Sequence, residues 1–144
     1  MKVYPSDDGA AAFVSLAKGE DLLEGLSAAV HELAFEAATL QVIGAVEAAT
    51  VGYYDAERRE YVPITTGHVE VTAGLGNVSM RDGEPFIHLH LTLGGRDGSC
   101  VGGHAMPGCR AYVIEAYLRR LDGPAPVREA VPGLELKVWP SSPA

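Results

Sequence analysis

The chain has 144 residues, of which 47% are hydrophobic and 21% charged, and its formal net charge is −8. This is typical of one folded domain rather than a disordered segment, so we expect a single domain over 1–144 with frayed ends at 1–10 and 140–144. The acidic balance argues against direct binding to nucleic-acid phosphates, and no apolar run approaches the ~20 residues of a membrane span.

The N-terminal quarter of the chain predicts a strand followed by the principal helix. Residues 11–18 (AAFVSLAK) favour a first strand that ends at Gly19. The stretch 19–36 predicts a helix, because its apolar residues recur at helical spacing and Asp21 followed by Glu24 resembles a capping pattern. Such a helix would bury one apolar stripe against the rest of the domain.

After this helix the sequence period changes, and β-branched residues and turns predict mainly strands. RDGEP at 81–85 is a strong turn signal, and 127–131 is expected to be irregular. The predicted strands, with the alternatives that the pattern leaves open, are 40–55 (one or two strands), 61–80 (a strand pair or one bent strand), 109–121 (strand or helix) and 134–139 (a last strand). We therefore predict an α+β domain, a mainly antiparallel sheet with one principal helix packed on it.

Residues 85–104 (PFIHLHLTLGGRDGSCVGGH) contain three of the five histidines. Because residues two apart in a strand share a face, His88, His90 and Thr92 would lie on one face and the alternating leucines on the other. The leucine face suits a core, which leaves the histidine face for solvent or for a site.

The hairpin register decides whether His104 joins the other two histidines. A three-residue loop centred on Asp97, with Gly98 at positive φ, would pair residue 90 with residue 104 and place both on one face. A two-residue turn would instead set His104 opposite Leu91, on the wrong face. The apolar pattern of the returning strand favours the first register.

Three neutral imidazoles on one face suit zinc or another late divalent metal. Three protein ligands leave a fourth position for water or a small ligand, as in catalytic or ligand-binding sites. Gly102 and Gly103 would leave room beside such a site, or let backbone approach a ligand closely. The alternative is a polar exposed sheet face whose histidines have ordinary hydrogen-bond partners.

Two further residues, His68 and Glu70, share a face of another predicted strand. They would supply a second shell to the metal or a general base, or simply lie on an exposed strand face. Thr92 is a further candidate for the second shell or for ligand binding. Cys100 and Cys109 are expected to be free thiols in a reducing cytoplasm. The acidic residues near the N-terminus argue against a signal peptide.

The chain resembles the PPC ("plant and prokaryote conserved") domain. The segments that carry the resemblance are LAKGEDLLEGL (16–26), IGAVEAATVGYYDAERREYV (43–62), VEVTAGLGNVS (69–79) and, above all, DGEPFIHLHLTLGGRDGSCVGGH (82–104). The resemblance implies a homotrimer and a divalent metal site, zinc in the first place, at His88, His90 and His104. Plant members carry AT-hooks with an Arg-Gly-Arg-Pro core, and that core does not occur in this sequence.

Three functional hypotheses follow from these patterns. The first is a trimeric metal-binding protein with a small-molecule site, for which the sequence leaves open whether it is an enzyme. The second is a non-enzymatic oligomerisation or regulatory module, DNA-associated only through partners. The third is direct DNA binding, which the net charge and the missing AT-hook disfavour.

Overall fold

The computed structural model describes residues 1–141 and contains, within them, one α-helix and ten β-strands. The elements are β1 (Lys2–Pro5), β2 (Ala11–Leu16), α1 (Leu22–Leu33), β3 (Ala38–Asp55), β4 (Glu60–Thr66), β5 (Val69–Arg81), β6 (Glu84–Gly94), β7 (Cys100–Ala105), β8 (Arg110–Arg120), β9 (Val127–Ala130) and β10 (Lys137–Val138). All strand pairs are antiparallel except β5–β9. The predicted α+β class, a mainly antiparallel sheet with one helix, is confirmed.

The long strand β3 organises the sheet, because it pairs with β5 and β4 along one edge and with β8 and β7 along the other. Since β5 pairs with β6 and β6 with β7, the hydrogen-bonded path returns to β3 and the sheet closes on itself. β8, β2 and β1 extend it beyond this ring. The β6–β7 hairpin with the histidines is therefore held between two other parts of the same sheet.

Helix α1 begins at Leu22 because the side chain of Asp21 caps it. Oδ1 of Asp21 accepts hydrogen bonds from the backbone N–H groups of Leu23 (2.9 Å) and Glu24 (3.2 Å). The helix ends at Ala34, whose φ of 52° is left-handed, so it is shorter than the predicted 19–36. The side chains that it buries in the core are Leu22, Leu26, Ala29 and Val30.

The alternatives left open by the sequence are resolved by strand pairing. Residues 40–55 belong to one long strand, residues 61–80 to two strands, and residues 109–121 to a strand rather than a helix. Gly44 lets β3 continue unbroken past a bulge: its φ is +134°, and a Cβ there would lie 2.2 Å from the carbonyl oxygen of Val113.

Three predictions at the chain ends were wrong. Residues 1–10 are not frayed throughout, because β1 forms a ladder with β2. Residues 127–131 are not irregular. The pairing of β5 with β3 stops at Val78, and β9 adds as a parallel strand to the edge left free at Met80 and Arg81. The strand predicted at 134–139 is reduced to the two residues of β10, paired with β9. Of the end predicted to fray, 142–144 lie outside the described residues.

The two faces of the sheet differ in burial around the histidine strand. Leu89, Leu91 and Leu93 are at most 2% exposed and belong to the main core, as their alternation predicts. The opposite face, called the outer face below, carries a row of directly opposed residues that crosses five strands: Phe13, Tyr117, Gln41, Leu75 and His90. The histidines therefore lie away from the core.

Among the described residues, no helix is long and apolar enough to span a membrane.

Candidate metal centre

The β6–β7 hairpin brings His104 next to the other two histidines. His90 lies directly opposite His104. The loop closes with the N–H of Gly95 donating to the carbonyl of Ser99 (2.8 Å), and Gly98 has a φ of +81°. This is the three-residue loop centred on Asp97, so the predicted register is confirmed.

The three imidazoles form a compact cluster. Nε2 of His88 and Nε2 of His90 are 3.2 Å apart, and the ring centroids are separated by 5.1 to 5.4 Å. One nitrogen of each ring lies within 4.8 Å of those of the other two. Within residues 1–141, no fourth His, Cys, Asp or Glu joins this group.

Two residues from distant parts of the chain contact the cluster. Tyr61, on β4, stacks on His104 with ring centroids 5.2 Å apart. Arg128, on β9, donates from Nη2 to Nδ1 of His88 at 3.1 Å. Strand β9 reaches the outer face by pairing with β5, and this pairing places the guanidinium beside the histidines.

The surroundings favour neutral imidazoles. Burial, and after it the charge of Arg128 and the neighbouring histidines, lowers the pKa of His88 to about 4. Burial, then His90 and Arg128, also lowers the pKa of His104. Rings that are neutral near neutral pH carry no charge that would repel a cation, and the buried Nδ1 of His104 has no hydrogen-bond partner among the described residues.

The residues predicted as a second shell are not brought into the cluster. His68 lies just before β5, with its ring against Tyr112 (5.2 Å). Glu70 is paired with Gly94, four residues along β6 from His90. Thr92 shares the strand face of His90, but no side-chain hydrogen bond joins it to a histidine within residues 1–141. The alternation of side chains along a strand predicted which residues share a face, but it does not fix how far apart residues on different strands lie.

The structure gives Gly102 and Gly103 a packing role, and their predicted role beside a ligand stays a prediction. A Cβ on Gly102 would lie 2.8 Å from the carbonyl oxygen of Leu91, and one on Gly103 would lie 2.7 Å from that of Gly52. Both contacts are with backbone of neighbouring strands. The glycines therefore allow β7 to fit between β6 and β3.

The two cysteines are free, as predicted. Cys100 is exposed and pairs with Gly94 at the loop end of the hairpin, away from the histidines. Cys109 is buried and donates to the carbonyl of Thr50 at 3.3 Å. Neither belongs to the cluster.

Arg128 and Tyr61 are the neighbours of the cluster that the sequence did not predict. Arg128 lies in a four-residue strand whose partner, β5, is about 50 residues earlier, and Tyr61 reaches His104 only because β3 pairs with both β4 and β7. An arginine between Val127 and Glu129 gives no local signal of burial. Its place beside the cluster follows only from the pairing of β9 with β5.

Comparison with known proteins fits this geometry. The family model of the Plants and Prokaryotes Conserved (PCC) domain matches residues 5–122. The chain belongs to the PPC domain family. This family match includes the whole β6–β7 hairpin and Tyr61, whereas Arg128 lies beyond the matched PPC residues.

Three solved structures illustrate the likeness of this PPC protein to others. The metal-containing protein from Archaeoglobus fulgidus is 35% identical, covers 98% of this chain and 100% of its own, and superposes with a TM-score of 0.86. The PPC protein from Pyrococcus horikoshii is 29% identical, with 99% and 97% coverage and a TM-score of 0.86. A putative DNA-binding protein from Ralstonia eutropha JMP134, at 23% identity, 95% and 94% coverage and a TM-score of 0.84, shares the fold. A search of curated proteins found no match.

Proposed function

We propose that this PPC protein binds one divalent metal ion, zinc in the first place, through His88, His90 and His104, with a fourth position open to water or a small ligand. The observation that carries the proposal is the convergence of the three imidazoles. Two nitrogens bound to one tetrahedral ion are about 3.4 Å apart, because each bond is about 2.0–2.1 Å. The Nε2 atoms of His88 and His90, 3.2 Å apart, match that separation, and one nitrogen of His104 lies within 4.8 Å of both rings' ligand atoms.

The donor set and its surroundings also support a metal. Imidazole nitrogen suits late divalent ions, and the lowered pKa values of His88 and His104 keep these rings unprotonated near neutral pH. Nδ1 of His104 is a buried polar atom without a hydrogen-bond partner in residues 1–141, and a bound ligand would supply one. The relative from Archaeoglobus fulgidus is described as metal-containing, in agreement with this proposal.

A zinc ion with three protein ligands would lower the pKa of a bound water to about 7, the chemistry of hydrolytic and hydration sites. The chain's own residues would hold and orient the ligands. Tyr61 stacks on the ring of His104, and burial raises the pKa of this tyrosine, so it stays a neutral phenol. Leu89 anchors the strand between His88 and His90 in the core.

We further propose that three copies assemble through the outer face. Its row of residues includes two uncovered apolar side chains, Phe13 (63% exposed) and Leu75 (65% exposed). Exposed apolar side chains grouped on one face mark interaction surfaces, and the ring of Tyr117, in the same row, lies 5.3 Å from that of Phe13. Leu75 is the direct cross-strand partner of His90, so the assembled face would reach the edge of the metal centre.

The same exposed face favours a second candidate function, a non-enzymatic module that binds other proteins. Partner binding that survives the loss of all three histidines would favour this function over the metal site. Direct binding to DNA is disfavoured by the net charge of −8. We also propose a cytoplasmic location, which the exposed free thiol of Cys100 supports.

Calorimetric titration with zinc tests the proposed function. Wild-type protein stripped with EDTA should bind about one zinc per chain, and His104→Ala should reduce the affinity by at least roughly a hundredfold, since it leaves only two ligands. His31→Ala, on the exposed surface of α1, is the matched control and should bind like the wild type. Wild-type protein that takes up no zinc would contradict the proposal.

A further inference from the structure

A small cavity lies beside the histidine cluster, on the side of the C-terminal strands. Its volume is about 180 Å³, and β10 closes one side of it. An engineered cavity of about 150 Å³ admits benzene, so this one has room for a molecule about the size of one ring. The side chains that define it are Tyr61, Arg81, Phe86, His88, His104 and Arg128.

Positive charge is concentrated in this cavity although the protein as a whole is acidic. The guanidinium of Arg81 lies 3.6 Å from the ring centroid of Phe86, and that of Arg128 lies 5.3 Å from it. Lys137, the third cation of the lining, is paired with Asp82. Neither arginine forms an ion pair with any carboxylate of residues 1–141, although the chain has 19 acidic residues against 11 basic ones.

Arg128 is only 9% exposed, and its partners are all neutral. Nε donates to Oγ of Ser79 at 3.0 Å, and Nη2 donates to Oδ1 of Asn77 and to Nδ1 of His88, both at 3.1 Å. No residue of the described chain accepts from Nη1. These contacts orient the guanidinium without neutralising it, and a buried charge without a counter-charge is unfavourable.

We propose that this cavity binds the carboxylate or phosphate group of a small organic molecule between Arg81 and Arg128. The flat guanidinium suits either anion, while Phe86 and Tyr61 supply apolar walls for a ring or short chain. Because His88 and His104 line the same cavity, the other end of the molecule reaches the metal centre. Only this last clause rests on the proposed function, since it makes the other end of the molecule a ligand at the open metal position.

Benzoate and phenyl phosphate are suitable probes, with benzamide as the uncharged counterpart of benzoate. Each is titrated into EDTA-stripped and zinc-loaded protein by calorimetry. Trp139, the chain's single tryptophan, lies 5.1 Å from the guanidinium of Arg128, so its fluorescence gives a second readout. At least one anion should bind once per chain and at least tenfold more tightly than benzamide. The tighter of the two anions identifies the group for which the site is built.

Substitutions locate the binding. Arg81→Gln, on an exposed side chain, should weaken binding of the preferred anion at least tenfold, and Arg128→Lys should weaken it while keeping a buried cation. Arg96→Gln removes an equal charge in the β6–β7 loop and should change nothing. Thermal melting of each variant verifies the fold.

The inference fails if neither anion binds, if benzamide binds equally well, or if Arg81→Gln binds like the wild type. Its failure is separable from that of the metal proposal. Arginine-dependent anion binding in protein that never takes up zinc would uphold the anion cavity and refute the metal centre. Zinc uptake without anion binding would uphold the metal centre and refute the anion cavity.

Discussion

His88 contacts both another histidine and a buried arginine, and these contacts determine where its proton lies. Arginine can only donate hydrogen bonds, so Nδ1 of His88 accepts from Nη2 of Arg128. A neutral imidazole carries one N–H, which is then on Nε2, facing Nε2 of His90. A nitrogen that binds a metal must lose that proton. When Nε2 of neutral His88 binds a metal, the ring's one proton is on Nδ1, and Nδ1 can no longer accept from Arg128. Metal binding at Nε2 therefore competes with the Arg128–His88 hydrogen bond.

Replacing Arg128 by methionine should raise zinc affinity by roughly five- to tenfold. The change removes the competing donor and a positive charge, and one unit charge about 7 Å from a dication contributes about 1 kcal/mol even in water. Competition with a chromophoric chelator measures the affinity, and Arg96→Met is the charge-matched control. Weaker zinc binding by a folded Arg128→Met variant would show that Arg128 supports the metal rather than opposing it.

The lowered pKa of His88 predicts a pH-dependent stability. In the unfolded chain this histidine has a pKa of 6.5, against about 4 in the folded protein, so between these values the unfolded state binds more protons. The free energy of unfolding of metal-free protein should therefore fall as the pH is lowered from 6.5 towards 4. His88→Gln should make that fall shallower, measured by urea unfolding across the range. His31→Gln should follow the wild type, and equal slopes for all three proteins would refute this role of His88.

At the scale of the strands, the histidine hairpin depends on close approach between β5 and β6. A Cβ on Gly76 would lie 2.3 Å from the carbonyl oxygen of His88, a distance that real contacts do not show. Gly76→Ala should therefore push β6 away, reduce the free energy of unfolding by about 1–3 kcal/mol and weaken zinc binding. Gly67→Ala is the matched control, because no atom of the described residues lies within 4 Å of a Cβ at that position. A stable Gly76→Ala variant with normal zinc affinity would contradict this account.

The local parts of the fold and the cluster were predictable, and the long-range parts were not. The alternation of leucine and histidine, together with the glycine at positive φ in the loop, predicts the register of β6 and β7, because a hairpin is fixed by neighbouring residues. The start of α1 follows from the cap at Asp21, which the sequence also signals, whereas its predicted bounds of 19–36 were too wide. In contrast, β9 carries no pattern of its own and forms because β5 has a free edge. Arg128, which that strand brings to the site, was missed for the same reason.

At the scale of the whole molecule, the proposed trimer makes a prediction about the outer face. Phe13→Glu places a charge in this row, at the end remote from the histidines, and should shift the assembly towards the monomer. Leu121→Glu, an equally drastic change at a 53% exposed position outside the row, should leave assembly intact. Light scattering after size-exclusion chromatography should give three times the 15.1-kDa chain mass for the wild type. A monomeric wild-type protein would refute the trimer.

The most direct test of the three-histidine metal centre is anomalous diffraction at the zinc absorption edge from crystals of the zinc-loaded protein. The account predicts one strong anomalous peak per chain, about 2.0–2.1 Å from one nitrogen each of His88, His90 and His104. A cluster without a peak, or zinc bound only elsewhere on the protein, would contradict it.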